Sequence, residues 1–220
     1  MAFKMKNPPY KTHSKKVPFS NEHLYGGDDD TGTFGVVAGN LSIGGVWNGS
    51  SLAQAFTGNI ADVRVYSDEL TSGEVTTLYN SGSNPATNKG NVYATHTDNL
   101  VGHWKLNEAG LGRAYDFSGN MNHGINKGVI DGTDDPSARF DGTDDYIEIG
   151  TGTDLELTNN YTISLWCKND DASGRSVNEH LIAKYSGSDG DRGYRVTMST
   201  DNRINFESGN SGGIGSSVAT

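Results

Sequence analysis

Hydrophobic and polar positions alternate along most of this chain in short runs, each closed by Gly, Asn, Asp or Ser. The period is two, the signature of strands with one face buried. In Ile60-Ala61-Asp62-Val63-Arg64-Val65-Tyr66 it predicts Ala61, Val63 and Val65 on a core face, with Asp62 and Arg64 facing out or into a site. Leu100 to Leu106 reads the same way, with Leu100, Gly102, Trp104 and Leu106 on one side. Ala138–Phe140, Asp145–Ile149, Tyr161–Cys167, Leu181–Tyr185, Tyr194–Met198 and Arg203–Phe206 continue the series. One segment departs from it. Thr71 and Glu74 form a capping box, and Val75, Leu78 and Tyr79 follow at helical spacing until Asn80-Ser81-Gly82 stops them. A helix of barely two turns must pack on a sheet to persist.

Short strands cut by turns predict an all-β sandwich or barrel, and the composition agrees. The 220 residues include 30 Gly, 33% are hydrophobic and 20% charged, which suits a protein whose turns use much of its length. No run approaches the roughly 20 apolar residues of a membrane helix. The single cysteine, Cys167, excludes an internal disulfide framework, and its place in an alternating strand marks it as a packing residue.

The chain divides into an extended arm (residues 1–20, with Pro8, Pro9 and Pro18), a first segment (21–82), a Gly/Asn/Ser-rich linker (83–98) and a second segment (99–220) ending in a Gly/Ser-rich tail. Net charge is −10, yet Lys4, Lys6, Lys11, Lys15 and Lys16 put +5 into the first 16 residues, leaving −15 on the rest. A basic arm on an acidic body reads as an interaction tail, or as a solvated terminus. The acidic body argues against nucleic acid as the main partner, because phosphate contacts need clustered Lys and Arg. The arm also lacks the apolar core of a secretory signal.

Several segments resemble a laminin-G-like domain of the concanavalin A-like lectin/glucanase type. VGHWKLNEAGLGRAYDFSGNMNHG (101–124) resembles its opening, ARFDGTDDYIEIG (138–150) its next strands, and YTISLWCK (161–168) its buried Trp strand. LIAKY and GYRVTM follow in the family's order, whereas GNIADVRVYSDELTSGEVTTLYNSG (58–82) resembles its last strand and terminal helix. Together these cover about two-thirds of the chain. The resemblance implies an antiparallel two-sheet concanavalin A-like sandwich (a jelly roll) with one short helix, its segments in permuted or module-spanning order. Three arrangements are open: the end of one module joined to the start of another, one permuted module, or a sandwich closed by strands of a neighbouring copy. Unpaired edges favour the last, a homo-oligomer, or a chain cut short.

The hydrolytic relatives' Glu-x-Asp-x-x-Glu pattern is absent from the sequence, and strand alternation separates Asp145 from Glu148. No Ser-His-Asp set is marked. Calcium takes oxygen ligands from Asp/Asn-rich turns. Asp116, Asn120 and Asn122 lie in one such turn, and Asp141, Asp144 and Asp145 in another. The resemblance implies rim calcium sites; the other reading of Asp116 and Asn120 is an Asx turn. Asp28-Asp29-Asp30 lacks the spacing of a loop site. Trp47, followed by Asn48, stands outside a core pattern and reads as a sugar platform or a subunit anchor; Trp104 and Trp166 read as core.

MAFKMKNPPYK at the N-terminus resembles the start of many small proteins of marine tailed phages. With the missing signal and the lectin-like body, it implies a non-enzymatic virion protein, made in the host cytoplasm. Its roles would be capsid decoration, head fibre or tail fibre, with the arm docked on capsid or tail proteins and host glycans as further partners. The alternative is a carbohydrate-binding module of a longer secreted hydrolase or adhesin, in an extracellular setting.

Overall fold

The computed structural model describes residues 2–5, 39–47, 51–82, 97–108, 112–131, 137–157, 160–170, 176–185, 192–210 and 213–219. Their strands form two antiparallel sheets packed face to face. The six-stranded sheet contains β1 (Ala2–Met5), β12 (Tyr161–Asn169), β5 (Thr57–Tyr66), β10 (Ala138–Asp141) and β9 (Ile130–Asp131) in that order. Strand β6 (Leu100–Trp104) pairs with the distal half of β5, beyond β10. The eight-stranded sheet runs β16 (Gly213–Ala219), β15 (Ile204–Asn210), β14 (Arg192–Met198), β13 (Glu179–Tyr185), β2 (Asn40–Ile43), β11 (Tyr146–Gly150), β8 (Gly124–Lys127), β7 (Arg113–Ala114). A small hairpin, β3 (Val46–Trp47) with β4 (Leu52–Ala53), bridges the sheets at one rim.

The described strands of the first and second segments join in one sandwich. β2 lies between β13 and β11, and β5 lies between β12 and the β10/β6 pair. Both belong to the first segment of the chain and both are interior to sheets built from the second. Of the N-terminal arm the described residues are Ala2–Met5, and these form a strand paired with Tyr161–Ser164. This pairing satisfies backbone groups that would otherwise line the open edge of β12. It also sets the backbone of Lys4 in the sheet rather than on a loose arm; Lys6, Lys11, Lys15 and Lys16 lie outside the described residues.

The core between the sheets is built from Leu41, Ile43, Ile60, Val63, Val65, Trp104, Phe140, Ile147, Ile163, Leu165 and Val196, with Tyr161, Tyr194 and Phe206 in ring contact at one end. Alternation locates most of these, but β5 corrects it. Asp62 has a φ of +50°, and the ladder to β12 shifts register between Ser164 and Trp166. That bulge inserts one residue and resets the alternation. Ile60 therefore reaches the core in place of Ala61, while Val63 and Val65 keep their predicted face. In β12, where Tyr161, Ile163, Leu165 and Cys167 face the core, plain alternation leaves Trp166 half-buried on the outer face instead of in the core.

Helix α1 (Ser72–Gly82) covers part of the outer face of the six-stranded sheet. Its capping box is formed: the Thr71 N–H donates to Glu74 Oε2, and the Glu74 N–H donates to Thr71 Oγ1. Leu78 and Val75 pack on Tyr66, Leu70 and Leu100. The helix runs on through Asn80 and Ser81 to Gly82, a residue suited to its end, and so gains a turn over the sequence expectation.

Candidate functional site

Two chain crossings meet at one rim. The first leaves β2 through Gly44 and Gly45, makes the β3–β4 hairpin and enters β5 after Phe56, whose N–H donates to the Gly44 carbonyl. Gly44 has a φ of +84°, and the Phe140 ring occupies the space a side chain would need. The second crossing, Asp141–Asp145, joins β10 to β11. It is pinned beneath the first: Thr57 lies opposite Asp141 in the ladder, and its Oγ1 lies against Gly142.

The first crossing presents Trp47, which is 43% exposed. Its ring lies parallel to that of Tyr146, with centroids 6.1 Å apart and planes 6° from parallel. Ile147 and Ile149 point into the core, so alternation places Tyr146 and Glu148 on the outer face of the eight-stranded sheet. Lys127 is paired with Tyr146 across the ladder and stands 4.0 Å from the Glu148 carboxylate, which also accepts from Asn40 Nδ2 at 3.1 Å. An aromatic platform is thus flanked by an amide, a carboxylate and an ammonium. Asn48 lies outside the described residues.

The second crossing brings Asp141, Asp144 and Asp145 together, with a ligand oxygen from each within 4.8 Å of the others. Asp145 is buried, and its Oδ2 accepts from the Asp141 N–H at 2.9 Å. Its Oδ1 lies where a Cβ on Gly128 would stand. Asp141 Oδ1 accepts from the Thr143 N–H, which curls the loop inward. Burial pushes the Asp145 carboxyl above its ordinary value against the Asp141 N–H bond, and the charges of Asp141 and Asp144 add to the rise. Three hard oxygen donors converging without a basic partner among the described residues fit a divalent cation of the calcium type.

The other turn expected to bind calcium is occupied by its own hydrogen bonds. Asp116 Oδ1 accepts from the N–H groups of His103 and Ser118, and Oδ2 accepts from Ser118 Oγ and the Asn122 N–H. Asn120 Nδ2 donates to the carbonyls of Leu100 and Val101. Asn122 Nδ2 donates to the Val101 carbonyl and to Asp154. With four donors on the carboxylate and both amides turned inward as donors, Asp116, Asn120 and Asn122 make the turn. The Asx-turn reading describes them.

Two features lay beyond the sequence reading. Tyr146 was legible as a strand residue, but nothing in its spacing tied it to Trp47. Asp62, displaced by the bulge, sits at the centre of a buried cluster: its Oδ1 accepts from Arg64 Nε at 3.0 Å and lies 2.8 Å from His103 Nε2. Burial raises the Asp62 carboxyl, but the His103 hydrogen bond and the Arg64 charge outweigh it and hold the group below its ordinary value. Arg64 and His103 are paired in the β5–β6 ladder, so this cluster fastens together the first and second segments of the chain.

With this geometry in place, residues 141–220 match the family described as the concanavalin A-like lectin/glucanases superfamily. The match begins at the Asp141 loop and includes Tyr146 and Trp166, while Trp47 lies outside it. No curated protein and no solved structure matches the chain. The two-sheet antiparallel architecture agrees with that family, and this stretch of the chain is similar to it.

Proposed function

We propose that the chain is a non-enzymatic glycan-binding domain whose sugar platform is the Trp47–Tyr146 pair, with a calcium ion held by Asp141, Asp144 and Asp145. The observation that carries this is the exposed, parallel aromatic pair beside three converging carboxylates at the same rim. A flat aromatic face accepts the C–H side of a pyranose ring, while Glu148, Asn40 and Lys127 are placed to hydrogen-bond its hydroxyls. The cation would fix the Asp141–Asp145 loop and, through it, the start of the strand that carries Tyr146. Family likeness in 141–220 supports a lectin-like role.

The setting we propose is a virion surface, as capsid decoration or fibre, with the basic arm docking on an acidic partner. It rests on the N-terminal resemblance and on the +5 segment ahead of a −15 body. The test of the domain's function is affinity electrophoresis through gels containing laminarin, galactomannan, xyloglucan or dextran, with and without calcium. Retardation of the wild type by at least one polysaccharide, weakened about tenfold in Trp47→Ala, is expected. No retardation in any gel, or Trp47→Ala running as the wild type does, would overturn the proposal.

A further inference from the structure

The outer face of the six-stranded sheet carries a second aromatic pair. Leu78 anchors α1, whereas the next residue, Tyr79, is 54% exposed and lies on Trp166, with centroids 5.6 Å apart and planes at 30°. Opposite Trp166 in β5 stands Ala61, so only a methyl group adjoins the indole across the ladder.

One step along the same strands the face turns polar. Lys168 pairs with Asn59, and Asn59 pairs with Arg139, giving three polar side chains in a line across β12, β5 and β10. Adjacent strands are about 4.8 Å apart, so the line spans about the width of two sugar rings. Asp170 ties it together: its Oδ2 accepts from Asn59 Nδ2 at 3.4 Å and stands 3.9 Å from Arg139 Nη2. An aromatic face beside an amide, a carboxylate and a guanidinium supplies C–H stacking together with planar donor and acceptor pairs, the chemistry that recognises vicinal hydroxyls. The cations of this line are only two and one is tied to a carboxylate, on a chain of net charge −10, which disfavours a phosphate backbone.

We propose that Tyr79, Trp166, Asn59, Arg139 and Asp170 form a second glycan site, and that one chain therefore bridges two polysaccharide strands. The proposal rests on the reading of the Trp47–Tyr146 rim as a glycan site. The two platforms face outward from opposite sheets, whose mean planes lie about 10 Å apart. Occupancy of both makes the domain a cross-linker, with avidity for a glycan-coated surface.

The test is isothermal titration of the wild type, Trp47→Ala, Tyr79→Ala and Asn59→Ala with hexasaccharides of the same four polysaccharides, counting sites per chain. Asn59→Ala leaves the helix contacts untouched, and circular dichroism checks that each variant folds. Two sites in the wild type are expected, one lost in Trp47→Ala and the other weakened about tenfold in both Tyr79→Ala and Asn59→Ala. A single site that only Trp47→Ala removes would overturn this inference and leave the rim reading standing. Sites lost in Tyr79→Ala and Asn59→Ala but kept in Trp47→Ala would overturn the rim reading and, with it, the bridging, leaving the Tyr79–Trp166 face as the glycan site. No binding of any hexasaccharide would overturn both.

Discussion

Two acidic turns, Asp116–Asn122 and Asp141–Asp145, look alike in sequence and end in opposite electrostatic states. In the first, one carboxylate receives four donors, three from backbone N–H groups and one from a hydroxyl. In the second, three carboxylates lie within 4.8 Å of one another; Asp145 Oδ2 accepts from the Asp141 N–H and Asp141 Oδ1 accepts from the Thr143 N–H. A turn that consumes its own charge is structural, because every oxygen is matched by a donor fixed in the fold. A loop that gathers three carboxylates around fewer donors leaves oxygens for the cation we propose there. What separates the two is where the donors are: β6 supplies the His103 N–H to Asp116, whereas the Asp141 loop draws N–H donors from its own backbone.

The sharpest way to break this comparison is Asp116→Ala. It leaves donors from β6 and from the turn itself without an acceptor, at a cost of about 3 kcal/mol, which lowers Tm by roughly 6–12 °C in a chain of this size. Thermal unfolding followed by circular dichroism measures it; a fall under about 2 °C would mean that the turn does not depend on its carboxylate. The next effect belongs to the other loop. Calcium at 100 times its Kd should stabilise the wild type by about 2.7 kcal/mol. The increment should vanish in Asp144→Asn and survive in Asn120→Ala. Equal calcium response in both variants would remove the distinction between the turns.

Much of the fold was legible in the sequence, and the reasons are local. Alternation in Tyr161–Leu165 and Ile147–Ile149 locates core residues because one face of each strand is buried. Thr71 and Glu74 locate the start of α1 because a cap is made within one turn. The bulge at Asp62 was not legible: it shows only in the ladder of β5 with β12, a property of pairing and not of either strand alone. For the same reason His103 was not connected with Asp62; Trp166, by contrast, was legible as an outer-face residue from the alternation of Tyr161, Ile163 and Leu165. The candidate site was half legible. Trp47 and the Asp141 loop stand out as departures from strand pattern, but their meeting at one rim with Tyr146 follows from the order of strands in space.

A third carboxylate extends the comparison to charge met by charge. Asp62 is held below its ordinary value, so its contribution to stability is complete above the unfolded-state value near 3.9 and is lost as pH falls through its lower folded value. Acid unfolding of the wild type should therefore steepen below about pH 4, at up to roughly 1.4 kcal/mol per pH unit. In Asp62→Asn this steepening should disappear, with some loss of stability at neutral pH, because Arg64 is 2% exposed and loses one of its charged contacts. Denaturant midpoints measured from pH 3 to 7 test it; parallel pH profiles for the two proteins would show that Asp62 does not carry the acid sensitivity.

The smallest effect has the opposite sign and bears most directly on the rim. Without a divalent cation, the three carboxylates of the Asp141 loop repel one another, so removing one charge should stabilise the fold. Asp144 is exposed, which lets solvent screen most of that repulsion, and Asp144→Asn should raise Tm by only about 1 °C in chelator. In saturating calcium the order must reverse, the wild type melting higher because it alone keeps the full ligand set. A crossing of the two melting temperatures as calcium is added is specific to a charge cluster that binds a cation. If Asp144→Asn melts lower than the wild type in chelator as well, its carboxylate is a structural acceptor like that of Asp116, and the two turns are alike after all.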